Sequence, residues 1–294
     1  MNIKRTILAF AIVASVIAGI QLFLNAVENH KEVKRQQRQK DLYASYGIEN
    51  DGKTPFASLP RMLTHDVQAA RIGDSLFRDK RLASSPRRIC LSCHSLSEGG
   101  IDGKKHSGLL TRPVYNAVFS SVFMSDGSIS NLTEVVRVMI EDPRFAGGPS
   151  ISNLVVQFSK DEKMLRHFQM AYDDGLTQTN ILDSIVQYHK TLVSPLTKFD
   201  RFASGATNVY DAAEMKGSQL FKTLNCVSCH NGPVLGGRKT HDGVKVPALR
   251  GLSTRSAYQP DGFSGNLAMV LMRMPCGELE KEDRIALIKF LKTL

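Results

Sequence analysis

From Asp66 to the C-terminus, apolar residues recur at the three- and four-residue spacing of amphipathic helices. "DVQAARIGDSLFRDKRL" opens on an aspartate able to cap a helix, and "DAAEMKGSQLFKTL" does the same from Asp211. "NLTEVVRVMIED", "DEKMLRHFQMAYDDG", "NILDSIVQYHKTLVSPLTKFDRFASG" and the terminal "EKEDRIALIKFLKTL" continue the pattern. Strand-like alternation is scarce, so the pattern predicts a mostly α class. Ahead of this body, Lys4 and Arg5 precede an apolar run from about Thr6 to Val27, interrupted mildly at positions such as Ser15, Gly19 and Gln21. That run is long enough to cross a bilayer and lacks a clear small-x-small cleavage site. It predicts an N-terminal membrane helix over residues 1–27, a signal anchor, with a removed signal peptide as the alternative. The basic run "KEVKRQQRQK" begins a linker over residues 28–60.

Each of the two matching helices leads into the same short motif, "ICLSCHSLSEGG" and "NCVSCHNGPVLGG". Four of the five cysteines are spent on two copies of Cys-x-x-Cys-His. A redox pair needs no histidine, and a zinc site would have to gather both copies around one metal. Covalent attachment of a c-type haem uses every residue of the motif: two thiols form thioethers, and the histidine supplies the proximal nitrogen. Cys90, Cys93 and His94 are expected to hold one haem, and Cys226, Cys229 and His230 the other. Cys276 is left over and reads as a small apolar residue.

The repeat extends beyond the motifs. Asp126-Gly127 follows His94 by 32 residues, and Asp261-Gly262 follows His230 by 31. After each Asp come Asn-Leu at the fifth and sixth positions and Met at the thirteenth, Met139 in one half and Met274 in the other. His106 and His241 hold comparable places in the loops, as do Pro113 and Pro247. The chain therefore reads as two cytochrome-c-like haem domains from an internal duplication, residues 61–200 and 201–294. A thioether on the helix past each loop can reach the iron face opposite the histidine. Met139 and Met274 are the resulting ligand candidates, while His167 and His189 read as ordinary helix histidines. A net charge of +10 points to an acidic partner or surface, although part of it lies in the run near residue 35. No nucleic-acid motif accompanies it. Haems of this kind are matured outside the cytoplasmic membrane, so a periplasmic location is expected, anchored to the inner membrane through the N-terminal helix.

The stretches "IGDSLFRDKRLASSPRRICLSCH", "RPVYNAVFSSVFMSDG", "TLVSPLTKFDRFASG", "KGSQLFKTLNCVSCHNGP", "VPALRGL" and "DRIALIKFLKTL" together resemble the bacterial dihaem cytochrome c peroxidase and MauG-type family. The resemblance spans roughly residues 66–294. It implies a first haem that meets hydrogen peroxide, a second that accepts electrons from a small cytochrome or copper protein, a calcium ion between the domains, and a possible homodimer. Met274 falls at the family's axial methionine, where a tyrosine would mark the protein-modifying MauG branch. His106 lies in the loop that carries the removable distal histidine.

Three departures bear on the chemistry that the resemblance implies. Ser125 stands where the family places a tryptophan between the haems. Val135 stands at the catalytic glutamine, and Arg144 or Phe145 near the acidic residue. Thr111 stands at the asparagine beside the calcium. The acids left for proton transfer are Glu134, Glu141 and Asp142, so His106, Glu134 and Glu141 form the catalytic candidate set. Peroxide reduction is the expected function, with a plain dihaem electron carrier and MauG-like oxidation of a partner protein as alternatives.

Overall fold

A computed structural model of the chain describes residues 17–27, scattered positions from 29 to 41, 56–239, 245–255, 258, 267–274 and 278–294. Residues 1–45 and 46–294 form two separate units. The first is helical over residues 17–27, and Ile17, Leu22 and Phe23 lie exposed along it. This corrects the expected membrane anchor: among the described residues no helix is long and apolar enough to cross a membrane. The anchored location and the inner-membrane partner drawn from that anchor are corrected with it. Residues 1–16, which include the start of the apolar run, and His241, Asp261, Gly262 and Cys276 lie outside the described residues.

The second unit is mostly helical, and its two halves are built by the same device. Helix α1 (Val67–Phe77) starts where the Asp66 carboxylate accepts the Ala69 amide at 2.8 Å. It buries Ala69, Ile72, Leu76 and Phe77 at helical spacing. Its partner is α6 (Gln178–Thr191), capped by Thr177, and between them come α2 (Cys90–Cys93), α3 (Leu132–Glu141), α4 (Ile151–Phe158) and α5 (Glu162–Ala171). Where α1 crosses α6 the backbones touch: a Cβ added at Gly73 would lie 2.0 Å from the Ser184 carbonyl oxygen. After the short α7 (Lys198–Ala203), two further helices, α8 (Ala212–Thr223) and the terminal α10 (Lys281–Leu291), repeat this crossing, since a Cβ at Gly217 would lie 2.1 Å from the Ala286 oxygen. The crossing therefore pairs Ser184 with Ala286, Tyr188 with Phe290, and His189 with Leu291.

Each half closes over its own core. Leu76, Ile140, Leu154, Phe158, Phe168 and Ile181 centre the first. Phe199, Phe221, Leu235, Leu287 and Phe290 centre the second, into which Phe56 inserts with its ring 5.2 Å from that of Phe199. Arg250 and Asp200, each with a side chain only 1% exposed, pair at 2.8 Å inside the second half. Asp200 also accepts the Leu59 amide, and Arg250 donates to Ala57 and Pro233 carbonyls, so the segment entering the body is tied down by one buried ion pair. The halves meet through backbone as well: the Ser121 amide donates to the Gly237 oxygen at 2.9 Å. Strands are limited to two hairpins among the described residues, β1 (Lys105–His106) with β2 (Leu109–Leu110), and β3 (Arg238–Lys239) with β4 (Lys245–Val246).

Candidate haem and active site

Helix α2 is a single turn, and the turn is what the chemistry needs. Three residues apart, Cys90 and Cys93 share a face, and the His94 amide closes the turn onto the Cys90 oxygen at 2.9 Å. The ring of His94 is then held by its other end: Nδ1 donates to the Gly100 carbonyl at 3.1 Å, which can only accept, so Nε2 is left with its lone pair. Gly100 lies at φ 79°, a left-handed conformation that turns its carbonyl toward the ring, and a Cβ there would strike Val114 at 2.9 Å. Burial pushes the His94 pKa down, which keeps the ring neutral, and pushes the Cys90 thiol up to about 12. The second half repeats the geometry in a 3-10 turn over Cys226–Ser228. There the His230 amide reaches the Cys226 oxygen at 2.8 Å and Nδ1 donates to Leu235 at 3.1 Å. Cys90, Cys93, Cys226 and Cys229 form no disulfide. In each half, two cysteines on one turn beside a histidine whose Nδ1 is held by a backbone carbonyl fit a covalently attached haem.

Against Cys90, Cys93 and His94 lies a cavity of about 260 Å³, and its walls sort the other expected residues. Met139 and His106 both line it, whereas Glu134 and Glu141 do not. Glu134 is exposed near Arg137, and the Glu141 carboxylate caps α4 by accepting the Ile151 amide at 2.8 Å. Asp142 forms an ion pair with Arg144 at 2.6 Å and likewise stays out of the cavity. The wall offered by α3 and the loop after it is apolar, with Leu132, Val135, Met139 and Phe145. Ser125 lines the cavity at the place of the missing tryptophan.

The loop of His106 is held at three points. It forms the β1–β2 hairpin, Ser107 Oγ donates to the Arg144 carbonyl at 2.7 Å, and His106 Nε2 meets the Asp102 carboxylate at 2.6 Å. Asp102, His106 and Cys93 lie together there. His106 can therefore leave its place only by breaking a short charge-assisted bond. Sequence reasoning missed Asp102, and it also passed over His189, which is 6% exposed and lines the same cavity. The His189 ring is fixed through Nδ1 to the Ile185 carbonyl at 2.7 Å, and burial lowers its pKa to about 4. The available signal was the repeat itself, which sets an apolar Leu291 at the matching place. In the second half Met274 is half-buried just past α9 (Leu267–Leu271), while Met269 and Met272 on the same stretch are exposed.

The family description "Di-haem cytochrome c peroxidase" matches residues 67–208, and "Cytochrome c" matches 214–294. The chain is 31% identical to the cytochrome c peroxidase Ccp of Escherichia coli, over 88% of its own length and 65% of that protein. The chain belongs to the dihaem cytochrome c peroxidase and MauG family. It is 29% identical to the cytochrome c551 peroxidase of Nitrosomonas europaea, covering 86% of this chain and 87% of that one. Among solved structures, a MauG-like protein associated with microbial copper homeostasis overlays with a TM-score of 0.67 at 16% identity, over 84% of this chain and 95% of the other. The diheme peroxidase BthA from Burkholderia thailandensis overlays with a TM-score of 0.63 at 13% identity, over 81% and 90%. These two likenesses show the fold. As a member of this family the chain is a dihaem c-type oxidoreductase with two covalently bound haems.

Proposed function

We propose that the protein reduces hydrogen peroxide to water, taking two electrons and two protons per peroxide, with the electrons supplied by a small cytochrome or copper protein through the second half. The observation that carries this is the cavity against Cys90, Cys93 and His94, which His106, held by Asp102, also lines. The haem, once attached, supplies the iron that exchanges electrons with peroxide. The chain's own residues do the rest: Leu132, Val135 and Phe145 exclude water, and the Asp102–His106 pair holds a proton at the imidazole beside the cavity. Met274 is the proposed second ligand in the other half. Calcium has no part in this reading, because Thr111 stands at the expected asparagine.

A second reading, a dihaem electron carrier, is favoured by Met139, which lines the cavity on a packed helix. If it occupies the open face, peroxide has no entry. Electron paramagnetic resonance of the oxidised and half-reduced protein separates the two. A high-spin signal that appears on half-reduction and is mimicked by His106→Ala supports peroxide reduction. Two low-spin signals in both states, one of them lost in Met139→Leu, refute it.

A further inference from the structure

The cavity that meets His94 is walled on part of its surface by cations from both halves. Arg112 comes from the first half, Lys245 and Arg255 from the second, and no Asp or Glu is among the described residues lining it. Arg255 is spread over two backbone carbonyls, with Nη1 donating to Ala248 at 2.8 Å and Nη2 to Arg250. Arg112 Nε is buried without a hydrogen-bond partner. The Lys245 ammonium stands 5.9 Å from the ring centroid of Phe123. Burial and then Arg112 lower Lys245 to about 8, against a pull from Asp126, which stays outside the cavity. Burial and Arg112 likewise bring Arg255 down to about 10, against Tyr258. Three cations half-removed from water and repelling one another are costly unless an anion joins them.

We propose that Arg112, Lys245 and Arg255 form a carboxylate-binding site between the two halves, that this site takes haem propionates, and that its fixed cations stand where calcium was expected. Propionates carry the missing negative charge and belong to the group that the cavity's cysteines and His94 fit. Calcium needs six to eight oxygen ligands, several of them anionic. Here the Ala248 and Arg250 carbonyls are already engaged by a guanidinium, and the Thr111 hydroxyl is bonded to Asp102. The residues do not fit the ion. A positive field at the cofactor favours the reduced iron, so these side chains also raise its potential.

The inference depends on haem attachment alone and survives or fails separately from peroxide turnover. Its test is spectroelectrochemical titration of the holoprotein with both haems attached. Lys245→Gln and Arg255→Gln are expected to lower the midpoint of the first haem, while Lys245→Arg, which keeps the charge, leaves it in place. In wild type, calcium chloride added after chelation leaves both haem spectra, both midpoints and the melting temperature unchanged. Unmoved midpoints in both glutamine variants would overturn the proposal. So would stoichiometric calcium binding to wild type with a shift in the haem spectrum, an arm that needs no variant to fold.

Discussion

Gly73→Ala distinguishes a real helix crossing from two helices that only lie close. The new Cβ would sit 2.0 Å from the Ser184 oxygen and 2.7 Å from the Tyr188 Cβ. An ordinary contact needs about 3.5 Å, so α1 and α6 must part by roughly 1.5 Å. Overpacking costs about 1–3 kcal/mol, and a clash with backbone at this depth belongs at the upper end. Alanine returns about 1 kcal/mol of helix propensity. The net is a loss of about 2 kcal/mol, or a fall in melting temperature of about 4–8 °C for a body of this size. The damage also has an address: Phe77, one turn further along α1, has its ring 6.3 Å from that of His94. Thermal melts by circular dichroism, paired with electron paramagnetic resonance of the oxidised protein, should show lower stability and a change confined to the first haem's signal. The matching Gly217→Ala should move the signal of the haem proposed at His230 instead. In an uncrossed helix, glycine to alanine raises stability by about 0.4–1 kcal/mol. A higher melting temperature for Gly73→Ala would therefore refute the crossing, by sign rather than by degree.

Two further outcomes follow from single side chains. His189 is held neutral by burial, with its pKa brought from 6.5 to about 4. The unfolded chain thus binds one more proton between those values, and stability falls as pH drops through them. His189→Leu, which copies Leu291, should flatten that limb in denaturant melts from pH 4 to 7, and an unchanged slope would remove His189 as its source. Glu141→Ala should cost about 1 kcal/mol through the lost cap on α4 and leave peroxide turnover untouched, because its carboxylate faces the Ile151 amide and not the cavity. A tenfold drop in turnover at unchanged stability would return Glu141 to the chemistry.

The candidate haem residues could be proposed from the sequence because their chemistry is local. A Cys-x-x-Cys-His turn spans five residues, and its geometry comes from one turn of backbone, as the matching closures at His94 and His230 show. The duplication was legible too, since equal spacings survive in the chain whatever surrounds them. Proton-handling groups were not. Glu134, Glu141 and Asp142 lie near the right helix in sequence, but a helix has several faces, and theirs turn toward solvent, a neighbouring cap and Arg144. Only the packing of α3 decided that Val135 and Met139 would face the cavity.

By itself, the sequence determined a mostly helical, twice-repeated chain with two places for covalent haem, because helical periodicity and a five-residue attachment motif are properties of neighbours along the chain. Tertiary structure alone decided that Asp102 holds His106, that His189 is buried where its repeat partner is leucine, and that Arg112 meets Lys245 and Arg255 across the halves. Those residues are separated by up to 143 positions between Arg112 and Arg255, and the charge each one feels depends on the folded distance and the water excluded between them, which no spacing along the chain encodes.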